Sequence, residues 1–105
     1  MKISKELASE VFKLNICEAY IENNNLFFDM GLPLIQSINL YEFSHKNCKE
    51  WANTQDYWTQ SGYEINHLGN YFCMIKDMPD NQFFYANTEV EAIIKACNWI
   101  LEKNK

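Results

Sequence analysis

The side chains best placed for chemistry are aromatic. Tyr57, Trp58, Tyr63 and Tyr71 gather around the loop before a run of short strands, and Lys76 follows them. Such rings can anchor a protein partner or stack on a base, with the lysine beside them as a phosphate contact. They can equally cap the end of a core. A second grouping is acidic. Glu18, Glu22 and Asp29 belong to the outer side of a hairpin, where they would meet a basic partner or stand as a solvated edge.

No other residues make a pattern that carries a reaction. His45 sits mid-helix beside Lys46 and Lys49, and His67 sits near a turn; neither has the H-x-x-x-H or H-E-x-x-H spacing of a metal site. Both read as surface or hydrogen-bonded histidines. Asp77 and Asp80 flank Met78-Pro79, too few oxygens for a calcium loop, and turn chemistry explains them. Glu89 and Glu91 suit the first turn of a helix. G-x-S-x-G, Walker and G-x-G-x-x-G motifs are absent, and Gly31, Gly62 and Gly69 stand alone. Cys17, Cys48, Cys73 and Cys97 form no C-x-x-C pair and read mostly as small buried hydrophobes. A cysteine–histidine dyad from Cys48 or Cys73 would have to be assembled in space. The expectation is a protein with no catalytic residues, no metal and no cofactor.

Composition narrows the class further. A chain of 105 residues, 48% hydrophobic and 22% charged, fits one domain with one core. No run is long enough to cross a bilayer and Met1–Glu6 has no signal-peptide character, so the expected location is the cytoplasm. Net charge is −5 and all nine basic residues are lysines. Without arginine or a basic stripe, sequence-specific nucleic-acid binding is not expected. The aromatic content of 15% suggests a homodimer.

These residues need elements to position them. Ser4 caps a helix over Lys5–Leu14. Ile16–Glu22 alternates as a strand, Asn23-Asn24-Asn25 turns, Leu26–Met30 returns, and Gly31 and Pro33 end the hairpin. Asn39 and Glu42 form a capping box, and Ile38 staples onto Phe43, at the start of a helix over Leu40–Thr54. Gln55–Gly62 reads as a loop or weak edge strand. Tyr63–Leu68, a Gly69-Asn70 turn, Tyr71–Lys76, a turn at Asp77–Asn81 and Gln82–Ala86 make an antiparallel meander. Thr88 and Glu91 box the last helix, whose stripe is Val90, Ile93, Ile94, Cys97, Ile100 and Leu101. Consecutive apolar residues in Tyr71–Ile75 and Phe83–Tyr85 imply a sheet covered on both faces. The expected class is α+β, as a small α/β/α sandwich; a one-faced sheet that dimerises is the alternative.

The order of elements resembles a known group. Ile3–Val11, the central Lys49-Glu50-Trp51-Ala52 and the ending Ala86-Asn87-Thr88-Glu89-Val90-Glu91-Ala92-Ile93-Ile94-Lys95-Ala96-Cys97 together resemble the phage ABA-sandwich domain of small phage and prophage proteins. The resemblance implies no catalytic residue. It implies a phage or prophage accessory factor that binds and modulates or inhibits a host protein, for instance a defence component. The alternative is a module that sequesters a small ligand or nucleotide through the Tyr57/Trp58 aromatics and Lys76.

Overall fold

The computed structural model describes residues 1–31, 35–77 and 79–105. Ser4 Oγ accepts the Leu7 N–H at 3.1 Å and starts α1 (Lys5–Phe12). The helix stops short of the expected Leu14. Lys13 turns left-handed (φ 56°) and the Leu14 N–H bonds back to Ser9 O at 3.1 Å, satisfying carbonyls at the helix end. β1 (Glu18–Glu22) and β2 (Asn25–Asp29) pair through a tight turn at Asn23 and Asn24, both at positive φ, which asparagine tolerates.

β3 (Ile35–Asn39) then adds to β2, giving a sheet of order β1-β2-β3. This strand is missing from the sequence reading, which ended the hairpin at Gly31 and Pro33; Pro33 lies outside the described residues. The reason is burial. β3 is an edge strand with Ile38 alone half-buried and the rest exposed, so it carries no alternation to read.

Asn39 Oδ1 accepts the N–H groups of Tyr41 (2.8 Å) and Glu42 (3.4 Å) and caps α2, residues 40–54. α2 is α-helical at its ends and π-helical over Phe43–Cys48, a wider coil often found at functional sites. β4 (Trp58–Asn66), β5 (Gly69–Lys76) and β6 (Gln82–Ala86) form the meander. β4 starts at Trp58 rather than Tyr63, and the first turn is His67-Leu68 rather than Gly69-Asn70. Gly69 belongs to the ladder. A Cβ there would lie 2.6 Å from the Ala86 carbonyl oxygen, so this close approach needs glycine. In the second turn, Met78 lies outside the described residues. Thr88 Oγ1 accepts the Glu91 N–H at 3.1 Å and starts α3 (Glu89–Lys103) where the capping pattern predicts.

α3 is the centre of the molecule, touching α1, α2 and all three strands of the meander. Its buried side takes in Ala92 and Ala96 beside Ile93, Ile94, Cys97 and Ile100, and the small residues allow close packing. Each sheet turns one face to a shared core: Leu26 and Phe28 from one, Cys73, Ile75 and Ala86 from the other. The fold is α+β, with the expected order of helix, hairpin, helix, meander and helix. The expected α/β/α layering is corrected. Among the described residues α2 and α3 cover one face of the meander, and the other leaves Trp58 54% and Phe83 47% exposed. The doubled apolar residues reflect a face that the chain itself does not cover.

Candidate functional site

His45 stands on the π-helical part of α2 and Glu89 is the first residue of α3. His45 Nε2 lies 3.0 Å from Glu89 Oε2, at ion-pair distance but off the axis of a hydrogen bond. His45 Nδ1 lies 3.0 Å from Ser44 Oγ and 3.1 Å from Tyr41 O, and the Tyr41 ring stacks on the imidazole at 3.9 Å. Strand alternation sends Ser61 of β4 to the helix side. Its hydroxyl donates to Glu89 Oε2 at 2.7 Å and accepts from Lys49 Nζ at 2.6 Å. His45 meets the carboxylate directly, and Lys49, four residues on along the same helix, is linked to it through the Ser61 hydroxyl.

Burial pushes the Glu89 carboxyl upwards. The Ser61 hydrogen bond, with His45 and Lys49, outweighs that and holds it below the usual carboxylate value of 4.5. The geometry is that of a tie between α2, β4 and α3. Ser61 points its proton at a carboxylate made weakly basic, and Lys49 donates to the same hydroxyl, so neither activates it as a nucleophile. No group of three or more His, Cys, Asp or Glu among the described residues is arranged to hold a metal ion.

This tie makes a pH prediction. A carboxyl with a lowered folded-state pKa contributes stability above its unfolded value, and that contribution disappears as pH falls through the lowered one. Glu89→Gln should therefore cost on the order of 1 kcal/mol near neutrality, the scale of a partly exposed charged hydrogen bond. The difference from wild type should begin to shrink as pH falls through the ordinary glutamate value of about 4.3, and disappear below the lowered folded-state value. Urea denaturation of both proteins at neutral and acid pH checks it; a difference that ignores pH would rule out the charged tie.

The structure distributes the expected aromatic set over several places. Tyr57 is half-buried and meets Trp99 edge-on, with centroids 5.6 Å apart, so it belongs to the core. Trp58 pairs across the ladder with Lys76, whose Nζ lies 5.9 Å from the indole centroid. Tyr63 pairs with Tyr71, edge-on at 5.3 Å. Residues 58 and 63 are an odd number apart on one regular strand, so the two pairs lie on opposite faces. The five residues do not make one site. Tyr71 instead joins the polar cluster, where it and Tyr41 border a shallow pocket of about 320 Å³ beside His45 and Glu89.

The acidic set does come together. Glu18 lies opposite Asp29, and Glu22 shares their outward face of the first sheet. Between the acids, Tyr20 stacks on Phe27 with centroids 5.3 Å apart, and exposed Ile35 adjoins Asp29 through β3. A groove of about 590 Å³ runs along β1 past Cys17, Glu18 and Tyr20. Like charges directly opposite one another on a sheet are unfavourable, so a cationic partner would relieve them.

Sequence reasoning missed the His45–Glu89–Ser61–Lys49 cluster as a unit. The spacing of His45 and Lys49 was a partial signal; nothing local marked Ser61. No protein-family model, curated protein or solved structure matches the chain.

Proposed function

We propose that this chain is a binding protein, without catalysis of its own, that modulates or inhibits another protein through the outer face of its first sheet. The observation that carries this reading is the convergence of Glu18, Glu22 and Asp29 around the stacked Tyr20 and Phe27. An apolar centre ringed by carboxylates suits a basic partner, with Lys2 and Lys5 across the adjoining groove as the nearby cations. No helix among the described residues is long and apolar enough to cross a membrane. A cytoplasmic setting, a phage or prophage origin and a host target such as a defence component extend the reading; the sequence resemblance supports these.

A second reading, sequestration of a small ligand such as a nucleotide, has the pocket between Tyr41 and Tyr71 in its favour. One experiment separates the two. Tagged wild type and a Glu18→Lys/Glu22→Lys variant are purified from the bacterial host, with mass spectrometry of both proteins and small molecules. The first reading expects a protein partner whose binding weakens about tenfold or more in the variant and falls with added salt. Protein capture indifferent to both charge reversal and salt would sink it. A co-purified small molecule present with either form supports the second.

A further inference from the structure

The uncovered face of the meander is built differently from the acidic one. β5 and β6 place Cys73, Ile75, Phe84 and Ala86 towards the helices. The alternate positions, Phe72, Met74, Phe83 and Tyr85, point away, together with Trp58 of β4. Phe83 and Tyr85 lie parallel on this side, centroids 6.3 Å apart. Phe72 lies over Gly62, where an added Cβ would come within 3.3 Å of the ring. Its charges stand at the ends: Lys76 pairs with Trp58 at one, and exposed Glu64 follows the last regular pair at the other, so the middle of the face carries none. That is unusual surface for a chain of net charge −5.

We propose that this face is a homodimer interface, in which a second copy of the chain packs the same face against it, sheet on sheet. A two-fold contact is self-complementary: the patch must accept itself. The face of Glu18, Glu22 and Asp29 fails that requirement, because each copy would present like charges to the other. The meander face meets it, and it is where two acidic chains approach with least repulsion. Antiparallel sheets pack in this way about 10 Å apart, aromatic side chains interdigitating.

The area sets the strength. Trp58 and Phe83 are 54% and 47% exposed. At roughly 200 Å² per aromatic side chain they present about 200 Å². Partly exposed Phe72, Met74 and Tyr85 bring the patch towards the roughly 300–600 Å² of a functional surface patch. Two such patches bury less than about 1,200 Å², the range of weak or transient complexes. The dimer is therefore reversible, with a dissociation constant in the micromolar range or weaker.

Sedimentation velocity from micromolar to millimolar concentration tests this with the whole chain. The mass should rise from 12.5 kDa towards twice that value. Phe83→Glu, at an exposed position, should hold the protein monomeric at every concentration while far-UV circular dichroism stays unchanged. Should that variant fail to fold, the wild type still decides the question, because the Trp58 indole N–H resonance must shift with concentration as the mass rises. A constant mass of one chain overturns the proposal. So does a dimer that tolerates Phe83→Glu, a Trp58 signal indifferent to association, or growth beyond two copies.

Discussion

Replacing Phe43 with alanine should destabilise the protein by about 3–5 kcal/mol, the cost of deleting a buried aromatic ring and leaving its cavity. Phe43 heads the fully buried side chains by size and stands on the π-helical part of α2. Its ring meets Phe12 of α1 at 5.4 Å, and Phe12 stacks on Phe28 of β2 at 4.9 Å. Three rings in series thus join α2, α1 and the first sheet, so the vacancy opens where three elements meet and has little room to collapse. A domain of this size has about 5–15 kcal/mol in total, so the loss is a large share. With a urea slope of about 1–3 kcal/mol per molar, the midpoint should fall by roughly 2 M. Tyr41→Ala, two residues away but 65% exposed, is the control, and should change stability by about 1 kcal/mol or less. Equal losses for the two variants would mean that the aromatic series does not hold the sheet to the helices.

Alkaline pH should weaken the fold through its buried thiols. Cys48 of α2, Cys73 of β5 and Cys97 of α3 are fully buried, and Cys97 Sγ donates to Cys48 O at 3.7 Å. Burial pushes the Cys73 thiol up to about 12; neighbouring Cys97 and Glu89 add to this and Lys49 opposes it. Burial also raises Cys48, helped by its contact with Cys97. In the unfolded chain a thiol ionises near 8.5. These thiols therefore contribute stability that is fully present below that pH and drains away as pH rises towards the folded value. For Cys73 the span of about 3.5 pH units corresponds to at most about 5 kcal/mol.

The measurement compares urea denaturation of wild type and Cys73→Ala, under reducing conditions, from neutral to alkaline pH. The wild type should lose stability more steeply, by about one proton per molecule. Thiol labelling of the native protein should modify exposed Cys17 at once and the other three on unfolding. Parallel pH profiles, or four thiols labelling at one rate, would contradict a buried trio.

The helix starts at Ser4, Asn39 and Thr88 were legible because a cap is a contact among residues within four positions of one another. The asparagine turn and the stripe of α3 are local in the same way. So were the burial of three cysteines and the acidic face, once β1 and β2 were recognised as a hairpin: alternation alone puts Glu18 and Glu22 on one side. β3 was not legible, since an exposed edge strand is held by its neighbour's backbone and leaves no side-chain period. The register of the β4–β5 turn depended on Gly69 meeting Ala86, a contact with a strand further along the chain.

The aromatic set shows the boundary best. Tyr57, Trp58, Tyr63 and Tyr71 are near one another in sequence, yet one strand running unbroken through 58 to 63 sends the exposed pairs to opposite faces. The cluster of His45, Ser61 and Glu89 joins residues from three elements, which no spacing within any one of them encodes. By itself the sequence determined the class, the order of elements apart from β3, and the buried stripe of each capped helix, because those rest on neighbouring residues. Which faces stayed open, and which polar side chains met, were decided by docking the elements around α3, where many weak long-range contacts act together.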